Sequence, residues 1–139
     1  MDTPTDVVHA APVRVIARVR QARADETPDC DFSVQGGREI SCHRGTSGGS
    51  ESFRFDYVYS REATTSDVYE RSLHSVVAAV TSGINASILA VGCSGGGKTA
   101  TLQGINPDED DGLIGLLLSG IYKSLQQKVC MHSLGSHCD

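Results

Sequence analysis

The sequence predicts an α/β fold, a mainly parallel sheet with helices on both faces, from three observations. Residues 13–20 and 53–59 alternate along the chain in the way of strands with one buried face. Residues 66–82 and 113–129 repeat apolar side chains at helical spacing. Residues 88–91 form an apolar run, which predicts a buried strand, and this run ends in a glycine-rich loop. Strands that alternate with helical segments are typical of a parallel sheet.

The composition limits the class of protein. With 139 residues the chain is long enough for one modest domain with its own core. The formal net charge of −5 argues against nucleic-acid binding, which needs a basic surface. No apolar run reaches the roughly 20 residues of a membrane-spanning helix, so we expect no membrane partner.

Both ends of the chain lack a periodic pattern. Residues 1–12 are polar with two prolines, and we expect a disordered leader without the basic-then-apolar order of a signal peptide. Residues 13–129 hold the patterned segments, and residues 130–139 form an unpatterned tail. The five cysteines are an odd number, which favours reduced thiols in the cytosol over a disulfide framework.

The first 60 residues contain the strand patterns. In residues 13–20 the apolar positions are expected to face a core, and Arg14, Arg18 and Arg20 to share a solvated face. Short β-prone pieces on either side of Gly36-Gly37 predict a small hairpin. In residues 53–59 the sequence predicts one strand with its aromatic side chains packed on one face, namely Phe53, Phe55, Tyr57 and Tyr59.

Two amphipathic helices flank the glycine-rich loop. The first is predicted to begin at Ser66-Asp67, with Glu70 three residues after Asp67, and to stop at Gly83. The second follows the loop, begins near Leu113 and carries apolar residues through Val129.

The glycine-rich loop fits the spacing G-x-x-x-x-G-K-[ST] at every fixed position. It consists of Gly92, Cys93, Ser94, Gly95, Gly96, Gly97, Lys98 and Thr99. Its glycines allow main-chain N–H groups to surround a phosphate chain, and Lys98 supplies a positive charge near the β- and γ-phosphates. The Thr99 hydroxyl can coordinate a magnesium ion, and a helix beginning at Lys98 would favour the same anion. The alternative is a flexible glycine-rich turn without a ligand.

Several further stretches agree with one family. They are Arg18-Val19-Arg20, residues 53–59, Asp67-Val68-Tyr69-Glu70, residues 83–92 and Gly112-Leu113-Ile114. In this order they resemble the segments R-x-R-P, F-x-F-D-x-V-F, V-Y-E, G-x-N-x-T-I-x-A-Y-G and G-I-I-P of kinesin motor domains. Over about residues 13–125 the chain therefore resembles the N-terminal part of a kinesin motor domain, an incomplete P-loop NTPase fold with a central sheet flanked by helices.

The resemblance implies ATP and Mg²⁺ as ligands, microtubules as partner, and a place in the cytoplasm on the cytoskeleton. It also implies that Arg18, Arg20 and Ala100 lie near the adenine, beside the phosphate loop itself. The chain departs from the family there, because Gln21 stands in place of a proline and Ala100 in place of an aromatic residue or histidine. Cys93 and Gly96 replace the usual glutamine and serine.

Two patterns of the complete family domain do not occur in this sequence, N-x-x-S-S-R of switch I and D-L-A-G-S-E of switch II. These segments sense the γ-phosphate and position the attacking water. We therefore expect ATP binding with very slow turnover or none, and no catalytic base can be named. Two alternatives stay open: a small-molecule kinase of another phosphate-loop class, and a degenerate, non-motile kinesin fragment that acts as a binding or scaffolding module.

Overall fold

The computed structural model describes residues 13–22, 31–43, 49–105 and 112–135. The predicted leader at residues 1–12 and the last four residues of the predicted tail lie outside these ranges. The chain divides into two compact units, Met1–Arg61 and Glu62–Asp139.

The first unit contains five strands in two sheets. The strands are β1 (Ile16–Arg18), β2 (Asp31–Gln35), β3 (Glu39–His43), β4 (Ser50–Arg54) and β5 (Tyr57–Tyr59). Strands β1 and β5 pair in parallel, whereas β2, β3 and β4 form an antiparallel sheet in that order. Among the described residues, the predicted parallel sheet is thus represented by one pair of short strands. The mixture of strands and helices still agrees with the predicted α/β class.

The predicted hairpin around Gly36-Gly37 is confirmed as β2 and β3. Its turn is closed by the Arg38 N–H, which donates to the Gln35 carbonyl at 3.2 Å. The register pairs Val34 with Ile40, which places two apolar side chains on the same face. Strand β4 extends this sheet, and the hydroxyls of Ser41 and Ser52 are hydrogen-bonded across β3 and β4 at 2.8 Å.

The predicted single strand at residues 53–59 is wrong, because the chain breaks between β4 and β5. Asp56 lies at the break, where its carboxylate accepts from the Val15 N–H at 2.7 Å and its own N–H donates to the Val15 carbonyl at 2.9 Å. Of the aromatic residues, Phe53 consequently lies in β4, Tyr57 and Tyr59 lie in β5, and Phe55 lies at the break. Phe53 is 48% exposed in β4, while Val58 and Tyr59 are both buried in β5. Adjacent buried residues show that both faces of β5 are covered.

Strand β1 is shorter than the alternation at residues 13–20 predicts. Only Ile16–Arg18 pair with β5, because β5 itself has three residues. Val13 and Val15 are 87% and 52% exposed, so the prediction that they face a core is wrong. Without a neighbouring strand beyond Ile16, the apolar face of this segment has nothing to pack against in the described sheet.

The second unit is helical in its described residues. Its elements are α1 (Thr65–Val68), a π-helical turn (Tyr69–Leu73), α2 (His74–Thr81), α3 (Lys98–Gln103) and α4 (Leu113–Gly135). The first three follow one another without a break and correspond to the first predicted helix. Gly83 follows the end of α2 with a φ of +89°, as the predicted stop requires. No described helix is long and apolar enough to cross a membrane.

The first helix begins two residues earlier than predicted. Thr64 is the N-cap, and its hydroxyl accepts from the Asp67 N–H at 3.1 Å. Asp67 completes a capping box, since its carboxylate accepts from the Thr64 N–H at 2.8 Å. The predicted cap at Ser66-Asp67 is therefore wrong. Thr64 is the N-cap, and Asp67 is the third residue of the helix.

Helix α4 packs against the π-helical turn and α2 to form the core of this unit. The buried apolar residues are Val68, Tyr69, Leu73, Val77 and Leu113. At the end of α2, the Lys128 ammonium donates to the Thr81 carbonyl at 2.6 Å. A cation at a helix C-terminus satisfies a terminal carbonyl and complements the helix dipole.

Helix α4 continues to Gly135, so its last residues lie within the predicted tail. Helix nucleation is the costly step, and adding residues to an existing helix avoids it. A segment without apolar periodicity can therefore extend a helix that has already formed.

Gly120 allows the close approach of α4 to the π-helical turn. A Cβ at this position would overlap the Tyr69 hydroxyl and lie 3.2 Å from Val77 Cγ2. Tyr69 is buried and has little room to move away. We expect Gly120→Ala to lower the free energy of unfolding by about 1–3 kcal/mol from overpacking, less the roughly 1 kcal/mol that alanine gains in helix propensity. Urea unfolding followed by circular dichroism measures this.

Two further variants separate overpacking from a general effect of substitution in α4. Ser119→Ala, at the exposed neighbouring position, should change stability by less than about 0.5 kcal/mol. Tyr69→Phe removes the overlapping hydroxyl and should restore part of the loss in the Gly120→Ala background. Equal losses in the Ser119 and Gly120 variants would contradict the proposed steric origin.

The Thr64–Asp67 capping box predicts a pH dependence. The Thr64 hydroxyl and then its N–H donate to the Asp67 carboxylate, and these hydrogen bonds lower the Asp67 pKa. A carboxyl whose pKa is lower in the folded state stabilises the fold above about pH 4 and loses this contribution as the pH falls below it. We expect Asp67→Asn to destabilise the protein at pH 7 and to differ less from the parent at pH 3.

Unfolding by urea at the two pH values measures both differences, with Ser66→Ala as the control at an exposed position beside the box. A gap between parent and Asp67→Asn that stays constant between pH 7 and pH 3 would exclude the ionised capping box as its cause.

Candidate nucleotide-binding site

The apolar run before the glycine-rich loop is extended, but it is not part of a sheet. Leu89 and Val91 are 85% and 92% exposed. No hydrogen bond joins the backbone of residues 85–91 to another described residue. The prediction of a buried strand is therefore wrong for the chain as described, because no described strand pairs with the run.

The loop itself depends on glycine at three positions. Gly92, Gly95 and Gly97 have φ values of +155°, +76° and +86°, which a side chain disfavours. Gly97 is also the residue from which α3 begins, and its carbonyl accepts from the Thr101 N–H at 2.9 Å. The fixed glycine before the lysine thus turns the chain directly into the helix.

Lys98 is the first residue of α3 and folds back on the loop. Its ammonium donates to the Gly92 carbonyl at 2.9 Å and to the Cys93 carbonyl at 2.6 Å. A third contact closes the loop, since the Gly96 N–H donates to the Cys93 carbonyl at 3.1 Å. The Lys98 ammonium is thereby held against the first two residues of the motif.

Thr99 and Ala100 lie in the first turn of α3. Thr99 is exposed, and its hydroxyl makes no hydrogen bond with a described residue. Its oxygen is therefore accessible to a metal ion at the loop. Ala100 is half-buried, and its methyl group offers much less apolar area than an aromatic ring would.

The end of α3 lies against the start of α4. A Cβ on Gly112 would overlap the backbone of Gln103 and Gly104, so glycine is needed for this contact. Leu113, the next residue, is 4% exposed. This packing joins the loop helix to the core of the second unit. In the sequence, Gly112 stands out only as part of a family segment, and its spacing does not predict the close approach.

Arg18 and Arg20 belong to the first unit, whereas the loop from Gly92 to Thr99 belongs to the second. Arg18 ends β1, and Arg20 follows two residues later with its guanidinium donating to the Gln21 carbonyl at 2.7 Å. Their predicted position near an adenine stays a prediction.

The cysteines in the described residues, Cys42, Cys93 and Cys130, are not joined by disulfides. Cys93 is exposed within the loop. The described residues contain no group of three or more His, Cys, Asp or Glu side chains that could hold a metal ion.

Comparison with known proteins agrees with the loop and with the order of the elements. The family model for the kinesin motor domain matches residues 14–134. The chain belongs to the kinesin motor domain family. The matched range extends over α4 beyond residue 129, where the sequence pattern ended.

Individual kinesins are similar over most of this chain. A kinesin heavy chain of Botryotinia fuckeliana is 30% identical over 101 residues, which are 72% of this chain and 12% of the relative. The kinesin-like protein KIN-10B of Arabidopsis thaliana is 36% identical over 123 residues, 78% of this chain and 19% of the relative. The chain thus spans less than a fifth of the length of these relatives.

Solved kinesin structures share the fold. The structure of a fast kinesin superimposes with a TM-score of 0.71 at 27% identity, and the match covers 83% of this chain and 33% of the kinesin. The motor domain of the Kar3-like kinesin from Ashbya gossypii gives a TM-score of 0.67 at 28% identity, covering 83% and 38%. The predicted fold class, an incomplete kinesin-type α/β domain, is confirmed.

Proposed function

We propose that this chain is the MgATP-binding part of a kinesin-like microtubule motor. In the complete family domain, ATP hydrolysis is coupled to movement along microtubules. We extend this activity to the chain as a proposal because the chain spans only about a third of the solved kinesin motors that it matches.

The observation that carries the proposal is the position of the Lys98 ammonium. It lies 2.6 Å and 2.9 Å from two carbonyls of the loop, in a loop whose glycines turn the chain into α3. A compact ammonium held at this place can exchange its neutral carbonyl acceptors for phosphate oxygens, which are charged and accept more strongly. The main-chain N–H groups from Cys93 to Gly97 supply further donors to the same anion.

The donor set also fits magnesium bound to the phosphates. Thr99 offers an exposed hydroxyl oxygen next to the lysine, and Mg²⁺ takes few protein ligands while it keeps several waters. When bound, MgATP supplies the phosphoanhydride bond whose cleavage drives kinesin motors. This chain's own residues orient the phosphates and neutralise their charge, which are the main parts of catalysis in phosphoryl transfer.

Recognition of the base is expected to be weaker than recognition of the phosphates. From the family resemblance, we propose that Arg18, Arg20 and Ala100 contribute to the site of the adenine. The short methyl group of Ala100 and the polar side chain of Gln21 reduce apolar and stacking contact with a base. We therefore propose binding that depends on the triphosphate and discriminates little between ATP and GTP.

As part of the motor proposal, we propose that the protein acts in the cytoplasm, on the cytoskeleton, and that microtubules are its partner. The chain's acidic net charge of −5 supports neither nucleic acid nor an anionic membrane surface as a general partner.

Isothermal titration calorimetry with MgATP and MgGTP tests the proposed site. We expect both nucleotides to bind, and Lys98→Ala to weaken binding by at least roughly tenfold, because the main charged donor to the phosphates is lost. Omission of magnesium should weaken binding as well. Lys123→Ala removes an exposed lysine from α4 and serves as the matched control, with no change in affinity.

A folded protein that binds neither nucleotide would contradict the proposed site, with the fold monitored by circular dichroism. Equal affinities of the parent and Lys98→Ala would show that any binding occurs elsewhere on the chain.

A non-motile binding module is the second candidate, and the exposed apolar run supports it. Leu89 and Val91 are almost fully exposed beside the loop, so another protein could cover this extended apolar segment. Such a module would use the family fold as a scaffold and would not need rapid turnover.

Turnover and microtubule binding separate the two candidates. Because the switch patterns do not occur in this sequence, we expect no ATPase stimulation by microtubules from the chain alone. A steady-state ATPase assay with and without microtubules measures the stimulation. Cosedimentation with microtubules, in the presence and absence of nucleotide, measures microtubule binding. Stimulated turnover would refute the expectation and establish a working motor. Nucleotide-independent cosedimentation without turnover would favour the binding module.

A further inference from the structure

Helix α4 has a second apolar side, which does not pack against the core of its own unit. It consists of five side chains that are between 46% and 69% exposed, and we call them the α4 stripe: Ile114, Leu118, Tyr122, Leu125 and Val129. Successive members lie three or four positions apart, so they form one line along the helix. The core-facing side is separate from this line, since Gly120 meets Tyr69 there and the Ser124 hydroxyl donates to the Thr81 hydroxyl at 3.3 Å.

The α4 stripe is large for an uncovered apolar surface. A fully exposed large apolar side chain presents roughly 200 Å², so the five partly exposed members present roughly 500 Å², at the upper end of patches on monomeric proteins. Two such surfaces brought together would bury about 1,000 Å², which is the lower limit of a specific protein–protein interface. The area therefore suits a weak, specific complex of two copies.

The spacing of the α4 stripe is the same in both directions along the helix. From Leu118 to Val129 the steps are four, three and four residues, which is the a/d spacing of a coiled coil. Because this order is unchanged on reversal, an antiparallel copy of the helix presents the same pattern. Leu118 then lies opposite Val129 of the second copy, and Tyr122 lies opposite Leu125. Such an arrangement is self-complementary, as a two-fold symmetric interface requires.

The charges of α4 also favour the antiparallel arrangement. The helix contains Lys123 and Lys128 but no aspartate or glutamate, and neither lysine is a member of the stripe. In a parallel pair each lysine would lie level with its own counterpart, and the two helix dipoles would point the same way. An antiparallel pair moves the two Lys128 ammonium groups toward opposite ends of the interface and opposes the dipoles.

We propose that the α4 stripe is the interface of a symmetric dimer, in which the α4 helices of two copies of this chain pack antiparallel. The occupant of the stripe is thus a second copy. The inference does not depend on the proposed function, because no member of the stripe belongs to the phosphate loop. It fixes the number of copies at two, since a two-fold interface is closed.

Sedimentation equilibrium of the full chain, from micromolar to near-millimolar concentration, tests the dimer. We expect the parent to follow a monomer–dimer equilibrium. Tyr122→Lys should weaken the dimer at least roughly tenfold, because two unpaired charges enter its apolar centre. Tyr122 is exposed in the single chain, so this variant should keep its fold by circular dichroism. Gln127→Lys adds the same charge at another exposed position of α4 and should dimerise like the parent.

A charge pair tests the antiparallel register. Leu118→Glu and Val129→Lys should each weaken the dimer. The double variant should bind its second copy roughly threefold or more tightly than either single variant, because the antiparallel register places the two new charges, of opposite sign, next to each other. In a parallel pair the same double variant would place like charges together.

Three results would overturn the proposal. The first is a parent that stays monomeric at the highest concentration, and the second is a dimer that Tyr122→Lys leaves unchanged. The third is a double variant that dimerises more weakly than both single variants, which would exclude the antiparallel register. Assemblies that are lost in Leu89→Lys but retained in Tyr122→Lys would assign self-association to the extended run at residues 88–91 instead.

Discussion

The second unit depends on the close packing of α4 against the π-helical turn and α2. Gly120 lets the helix approach the Tyr69 hydroxyl, and the Lys128 ammonium closes the end of α2 at the Thr81 carbonyl. The start of the same helix meets α3 at Gly112, where no side chain fits. Because α3 carries the lysine and threonine of the phosphate loop, this one helix links the core to the site. Inside the helix, glycine at position 120 trades helix propensity for close packing.

The two sides of the phosphate loop are supported differently. The helical side of the loop is anchored through Gly112 and Leu113, whereas the strand side, at residues 85–91, has no hydrogen bond to another described residue. Phosphate-loop proteins usually hold the loop between a buried strand and a helix. In this chain, contacts within the loop itself contribute to its shape, above all those of Lys98 with the Gly92 and Cys93 carbonyls.

The parts of the fold that local pattern could predict were predicted well. The hairpin at Gly36-Gly37, the two long helical segments and the position of the loop follow from turn residues and from periodicity. The failures arise where partners decide the outcome. Residues 53–59 alternate like one strand, but the contacts of Asp56 with Val15 divide them between two sheets. Residues 88–91 have the composition of a buried strand, but composition does not supply a neighbouring strand.

The sequence likewise predicted only part of the site. The spacing of Gly92, Gly97, Lys98 and Thr99 identified the loop, because each position is required by the chemistry of phosphate binding. No spacing rule predicted that the Cys93 carbonyl accepts from two donors, or that Gly112 lies against Gln103. Such contacts depend on atoms brought together by the turn and by helix packing. They become visible only in three dimensions.

The unpaired run at residues 88–91 also affects how the chain behaves among its own copies. Ile88, Leu89, Ala90 and Val91 carry no charge, and their backbone donors and acceptors are unpaired within the described residues. An extended, uncharged, β-prone segment with two open edges can pair with the same segment of a neighbouring molecule. We therefore expect the run, where it stays uncovered, to promote self-association at high protein concentration.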